Sequence, residues 1–196
     1  MSKRNCGHSL SELLIALALV GLLAGVGVPR FDAYRRRTAV IAAADVLRGV
    51  FRRVRSEAIA RGRNCGAKFV QSGATWTYSI YADTDGDGVT NDDIKSGVDR
   101  RLAGPFPLNS RLAPALIATP PMKLRDPDGD WMLPTDSPVQ FNRSVLCSFS
   151  PIGGGTPGSI YLSDGVATFY AARVLGSSGK VRLVRYDARS GKWVEP

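Results

Sequence analysis

The stretch from Gly7 to Pro29 constrains this chain more than any other. It reads Gly7-His8-Ser9-Leu10-Ser11-Glu12, continues from Leu13 to Val28 without a charge, and closes on Pro29. As a helix, this run of Leu, Ile, Val, Ala and Gly covers most of a bilayer's hydrocarbon, which takes roughly 20 apolar residues or about 17 at the short end. One carboxylate, Glu12, stands where the run begins. An ionisable group in such a segment needs a partner, which makes Glu12 a functional candidate. Residues 1–6 are too short and too polar for a secretory signal, whose apolar region precedes its cleavage site, so a cut at Gly7 leaves the run attached. Lys3 and Arg4 flank one end and Arg30, Arg35, Arg36 and Arg37 the other. Charge alone therefore does not orient the segment.

Behind Pro29 the pattern stays helical but becomes one-sided. Val40, Ala43, Leu47, Val50, Val54 and Ala58 recur at intervals of three and four, with Phe51 beside them. One apolar stripe thus faces a core, while Arg48, Arg52, Arg53 and Arg55 fall mostly elsewhere. A helix from Ser9 to about Arg61, loosened around Gly25, Gly27 and Pro29, would be roughly 80 Å long at ~1.5 Å per residue. The formal net charge of +9 is concentrated in this part, where residues 30–63 carry ten arginines against Asp32, Asp45 and Glu57. Such a segment suits anionic headgroups or an acidic neighbour, or is a solvated helix face.

Beyond Gly62 the period falls to two. Trp76, Tyr78 and Ile80 alternate with Thr77, Ser79 and Tyr81, and Ala67 to Gln71 precede them across a Ser72-Gly73 turn, which predicts a hairpin. Further strands are expected near Arg111–Thr119, Val139–Phe141, Ser159–Leu162, Ala167–Leu175 and Lys180–Tyr186, separated by loops rich in Gly, Pro, Asp and Ser. The expected fold class is α+β: a long N-terminal helix, transmembrane then amphipathic, packed on an antiparallel β-sheet head.

The basic leader ending in Gly7, the carboxylate Glu12 five residues after it, the apolar helix and Pro29 together resemble the prepilin signal of type IV pilins and type II secretion pseudopilins. His8 stands where that family usually has Phe or Met. Ser159 to Val166, the Gly176–Gly179 turn, Lys180-Val181-Arg182-Leu183 and Trp193 are similar to the C-terminal half of the GspH/FimT-like pseudopilins. The resemblance divides the chain into a leader (1–7), a transmembrane and filament-core helix (8–29), an amphipathic helix seating the head (30–63) and a β-rich head (64–196). It implies that a membrane peptidase cuts after Gly7 and methylates His8, and that Glu12 acts in filament assembly. It places the leader in the cytoplasm, one span in the inner membrane and the head in the periplasm. The implied partners are other pilins or pseudopilins, the prepilin peptidase and methylase, an inner-membrane assembly platform, and secreted cargo or DNA. In the oxidising compartment so implied, Cys65 and Cys147 are either a disulfide or two buried thiols. A bridge would close a loop of about eighty residues, worth on the order of 4–5 kcal/mol in the chain-entropy account.

Catalysis finds little support. The only histidine is His8, so the head contains no Ser-His-Asp or Cys-His nucleophile and no histidine-based zinc site. The Gly153-Gly154-Gly155 run lacks the Gly-Lys-Ser/Thr ending of a phosphate loop. Asp83-Thr84-Asp85-Gly86-Asp87-Gly88 is more informative. Acids at positions 1, 3 and 5 with glycine at 6 match the opening of an EF-hand-type calcium loop, and Asn91 occupies position 9. Position 12 is Ile94 rather than Glu, and no exiting helix is evident, so the stretch reads either as a calcium site or as an acidic turn. Asp126, Asp128 and Asp130 read as a solvated turn. Near the C-terminus, Lys180, Arg182 and Arg185 are candidate DNA contacts. Gly179-Lys180-Val181-Arg182 resembles the Gly-Arg-x-Arg element of FimT-like competence pilins, although Lys lacks the bidentate fork of Arg. Alternation puts Lys180 and Arg182 on one face and Val181, Leu183 and Arg185 on the other.

The expected function is therefore that of a non-enzymatic minor pilin-like subunit of a pilus or secretion pseudopilus, with a DNA-binding minor pilin as the alternative. The mature chain is expected to begin at His8. Amino-terminal mass spectrometry of membrane-extracted protein checks this, and a start at Met1 or beyond Pro29 would exclude the prepilin reading.

Overall fold

The computed structural model describes residues 9–113, 115–120, 124–127, 137–166 and 168–195, apart from the side chains of residues 24 and 26–29. The leader, with Gly7 and His8, lies outside the described residues, as do Asp128 and Asp130. The chain divides into two units, Met1–Arg36 and Arg37–Pro196. Helix α1, Leu10–Arg61, begins in the first and ends in the second.

In the first unit, every described residue from Ser9 to Leu23 is exposed. Leu13, Leu14, Ile15, Leu17, Leu19, Val20, Leu22 and Leu23 are each more than half accessible, so the helix offers apolar surface on all sides. Among the described residues no helix is long and apolar enough to cross a membrane.

The second unit is built on the stripe. Val40, Ala43, Ala44, Leu47, Val50, Phe51, Val54 and Ala58 are all buried, with no more than 5 % of any of them exposed. The strands in chain order are β1 (Cys65–Ser72), β2 (Thr75–Ala82), β3 (Arg100–Pro107), β4 (Leu116–Ile117), β5 (Val139–Phe141), β6 (Leu146–Phe149), β7 (Gly158–Ser163), β8 (Phe169–Val174), β9 (Val181–Asp187) and β10 (Lys192–Val194). Two short helices interrupt them, α2 (Asn91–Ser96) and α3 (Asn109–Leu112). One sheet has the order β3-β2-β1-β6, and the other β10-β9-β8-β7-β4 with β5 also paired to β7; every pairing is antiparallel.

Alternation decides what each strand gives to the core. In the β1–β2 hairpin, Phe69 faces Tyr78 and Ala67 faces Ile80, and all four side chains are buried beside the helix stripe. Strand β7 is buried along Ser159–Ser163 because β8 covers one edge while β5 and β4 share the other. Ile160 and Leu162 join the main core, whereas Tyr161 enters a second cluster with Leu124 and Ala171, against which Val184, Tyr186 and Trp193 pack. Phe51 joins the layers. Its ring lies 6.1 Å from Phe69 and 6.2 Å from Phe149 in the first sheet, and 5.8 Å from Phe141 in the second. Gly104 permits the bulge between β2 and β3. At φ +100, a Cβ there would stand 2.8 Å from the Tyr78 carbonyl oxygen and 2.9 Å from Ser79 Cα.

The structure corrects several expectations. Instead of a strand over Arg111–Thr119 there is α3 followed by the two-residue β4. Asn109 accounts for the turn: its Oδ1 accepts the Trp76 amide at 2.6 Å and its Nδ2 donates to the Ala74 carbonyl at 2.7 Å, pulling the chain back across the hairpin. A helix, α2, does follow the acidic loop. Asp126 is not a solvated turn residue, for it is buried and paired with Arg173 at 3.4 Å. The disulfide expectation also fails, since Cys65 and Cys147 are buried free thiols. Register explains this: Cys65 lies opposite Phe149 and Cys147 opposite Ala67, so the cysteines are diagonal neighbours. Diagonal neighbours stand roughly 7–8 Å apart, whereas a disulfide needs Cβ atoms about 3.5–4.5 Å apart. Burial pushes the Cys65 thiol up to about 11, against the opposing pull of Arg61, and raises Cys147 well above its ordinary value.

Phe51→Ala removes the ring that touches both sheets, so denaturant unfolding should show a loss of about 3–5 kcal/mol. Phe51→Leu should recover much of it, and a loss below ~1 kcal/mol for the alanine variant would mean that the layers are held elsewhere.

Candidate functional site

The front of α1 begins with a cap. The Ser9 hydroxyl accepts the Glu12 amide at 3.2 Å, and the Ser9 carbonyl accepts the Leu13 amide at 3.2 Å. Ser9-Leu10-Ser11-Glu12 is thus the Ser-x-x-Glu pattern that starts a helix, with Glu12 in the first turn where the helix dipole favours an anion. The sequence reading assigned Glu12 only a functional role, although the capping signature stood in the same four residues. Glu12 therefore sits at the rim of the exposed apolar surface, immediately before Leu13.

The acidic loop is held from inside by Asp83, which is 2 % exposed. Its Oδ1 accepts the Gly86 amide at 2.7 Å, and its Oδ2 accepts the Gly88 amide and Asn64 Nδ2, both at 3.0 Å. Burial acts to raise this carboxyl, but the Asn64, Gly86 and Gly88 donors outweigh it and hold it below its ordinary value. Ligand oxygens of Asp83, Asp85 and Asp87 lie within 4.8 Å of one another. Asp87, hydrogen-bonded to Asp85 and crowded by the neighbouring carboxylates, is shifted upward. Asn91 does not join them. It opens α2, and its Nδ2 donates to Ser144 Oγ at 2.8 Å. Thr90 caps α2 by accepting the Asp93 amide at 3.1 Å, and its hydroxyl also donates to the Asp93 carboxylate.

The basic hairpin divides. Lys180, in the β8–β9 turn, and Arg182 are exposed, whereas Arg185 is half-buried. Leu183 and Val181 belong to the main core, while Val184 and Tyr186 pack on the second cluster, so the faces alternate as predicted. Arg182 stands opposite Arg173 in register. Tyr186 and Trp193 lie 5.5 Å apart, and the Trp193 indole donates to the Arg125 carbonyl at 2.8 Å. Both rings are thus engaged in packing.

A feature not legible in the sequence is a groove of about 550 Å³ lined by Arg61, Arg63, Arg100 and Arg101 beside Asp83 and Thr84. Arg61 pairs with Glu57 at 3.1 Å, and Arg63 donates to the Thr84 carbonyl at 2.8 Å. Three distant sequence segments meet there, which no local pattern could have shown.

Residues 2–28 match the family model described as the prokaryotic N-terminal methylation motif. The match covers the leader and the front of α1, and it supports a type IV pilin-like substrate of prepilin peptidase that assembles with other pilins. No curated protein and no solved structure matches the chain.

Asp83→Asn should destabilise the protein by about 1–3 kcal/mol at pH 7 in chelator, because an amide cannot accept all three donors. Its carboxyl is depressed in the folded state, so the contribution is present above the unfolded value, about 3.9, and is lost as pH falls through the folded one. The pH dependence of thermal unfolding below pH 4 should accordingly be shallower for the variant, and an unchanged slope would count against this role.

Proposed function

We propose that this chain is a minor type IV pilin-like subunit of the GspH/FimT-like kind, built into a pilus or a type II secretion pseudopilus. The observation that carries the reading is the exposed apolar front of α1, which lies within the match to the methylation motif and bears a single carboxylate at its rim. So much apolar surface is stable only against lipid or other apolar helices. In this reading, prepilin peptidase cuts after Gly7 and His8 becomes the methylated amino terminus. Residues 8–29 first anchor the chain in the inner membrane, with the leader cytoplasmic and the head periplasmic, and then enter the filament core through an inner-membrane assembly platform. The head contacts neighbouring subunits or secreted cargo and performs no catalysis.

Glu12 would pair with the amino terminus of a neighbouring subunit, because a buried carboxylate left without a partner costs about 3–5 kcal/mol. The second reading, a DNA-receiving minor pilin, rests on the exposed Lys180 and Arg182. Arg185, on the other face, contributes nothing to that surface.

Glu12 both opens its helix and carries the charge, so two variants separate the roles. Glu12→Gln keeps a capping-box side chain without the charge, whereas Glu12→Ala loses both. Each should be cleaved and inserted into the membrane normally, yet be depleted at least tenfold from sheared filaments relative to wild type. Incorporation of Glu12→Gln at the wild-type level would refute the pairing.

A further inference from the structure

Strand β3 ends the first sheet, with β2 on one side and, among the described residues, no strand on the other. Its second half is closed to a further neighbour. Pro105 and Pro107 lack the amide that an added strand would need, and the bulge at Gly104 bends the edge. The first half carries no such block. Arg100 and Arg101 stand in regular register opposite Ala82 and Tyr81, and both are exposed. Successive residues of a strand leave opposite faces, yet Arg100 and Arg101 both line the groove of about 550 Å³, which therefore wraps around the open edge. The groove's other cations are engaged, Arg61 with Glu57 and Arg63 with the Thr84 carbonyl. Arg100 and Arg101 make no hydrogen bond or ion pair among the described residues.

We propose that this edge docks an extended acidic segment of another protein, which adds to β3 as a further strand beside Arg100–Ala103. An added strand takes its affinity from backbone hydrogen bonds to the unpaired edge and its specificity from alternate side chains. Because Arg100 and Arg101 leave opposite faces, two consecutive acids of the guest meet one guanidinium each. Each guanidinium holds a carboxylate through two parallel N–H donors. Leu102, half-buried in the groove wall, offers apolar surface to the residue beside the acids. Charges on an edge ordinarily keep other chains away, and here they admit a chain that brings the opposite charge. A nucleic-acid strand fits this edge less well. Its phosphates give no donor to the carbonyls of β3, and the exposed Asp85 and Asp87 of the adjoining loop repel a ligand charged at every residue. The edge would serve whether or not the chain enters a filament, so it does not rest on the role of α1.

The test titrates the full chain in detergent against fluorescein-labelled Thr-Val-Glu-Glu-Val-Thr, read by anisotropy, with unlabelled peptides as competitors. The acidic peptide should bind, and its affinity should fall as salt rises. Thr-Val-Gln-Gln-Val-Thr should compete at least tenfold more weakly, since it lacks the charges. The acidic peptide N-methylated at both valines and both glutamates keeps its charges but loses its backbone donors, and it should also compete at least tenfold more weakly. Arg100→Gln combined with Arg101→Gln should weaken binding at least tenfold at an unchanged Tm. Arg189→Gln combined with Lys192→Gln, which removes two exposed cations of the β9–β10 hairpin, should leave binding unchanged. No binding up to about 1 mM peptide, binding that survives the Arg100 and Arg101 substitutions, or equal competition by the N-methylated peptide would overturn the site. Competition by a short oligothymidylate as strong as by the acidic peptide would overturn the choice of a peptide guest. If the Arg100 and Arg101 variant melts low, the Gln-Gln and N-methylated competitors, run on wild type, still decide the outcome.

Discussion

Phe51 touches aromatic rings from both sheets, and the arrangement of the second unit follows from that contact. The two sheets share no strand, so α1 is the element on which both close. Phe69 and Phe149 approach the ring from one sheet and Phe141 from the other. Edge-to-face and tilted rings at 5.8–6.2 Å contribute roughly 0.5–1.5 kcal/mol per pair beyond the burial of their area. The rest of the stripe adds burial without direction, whereas the rings fix how the helix is rotated against the sheets.

A rigid seat lets the surfaces differ in chemistry. The acidic loop and the arginine groove adjoin at Asp83 and Thr84, where Arg63 reaches across to the Thr84 carbonyl. Asp83 lines both, yet its oxygens are turned inward to Asn64, Gly86 and Gly88. The loop's shape is thereby set independently of the arginines. On the opposite side of the second sheet, Arg173 is drawn into a polar cluster with Asp126 and Ser159. This leaves Arg182, its cross-strand neighbour, as the exposed charge of that row.

What the sequence made legible was what depends on local period. The stripe from Val40 to Ala58 could be read because a helix buries every third or fourth residue, and the β1–β2 hairpin because alternation and a glycine turn are local signals. β5, β7, β8 and β9 lie close to where they were expected for the same reason. The misses have a different cause. β3 carries Gly104 and two prolines and owes its place to the bulge against β2. α3 depends on Asn109 bonding to residues more than thirty positions away. The cysteine pairing depended on a register that spacing does not encode. The acidic triad was legible as a motif, but the exclusion of Asn91 required the fold.

The order of synthesis adds a burden to this design. The stripe is made before every strand that covers it, and Leu183 in β9, which helps close the core, comes about 125 residues after Ala58. At roughly 5–20 residues per second, that delay is on the order of ten seconds. Throughout it, the chain carries an uncovered apolar face beside unpaired strand edges, a state in which chains associate wrongly. The ten arginines of residues 30–63 lie on that same segment. Their shared charge sets neighbouring nascent stripes against one another until β9 arrives.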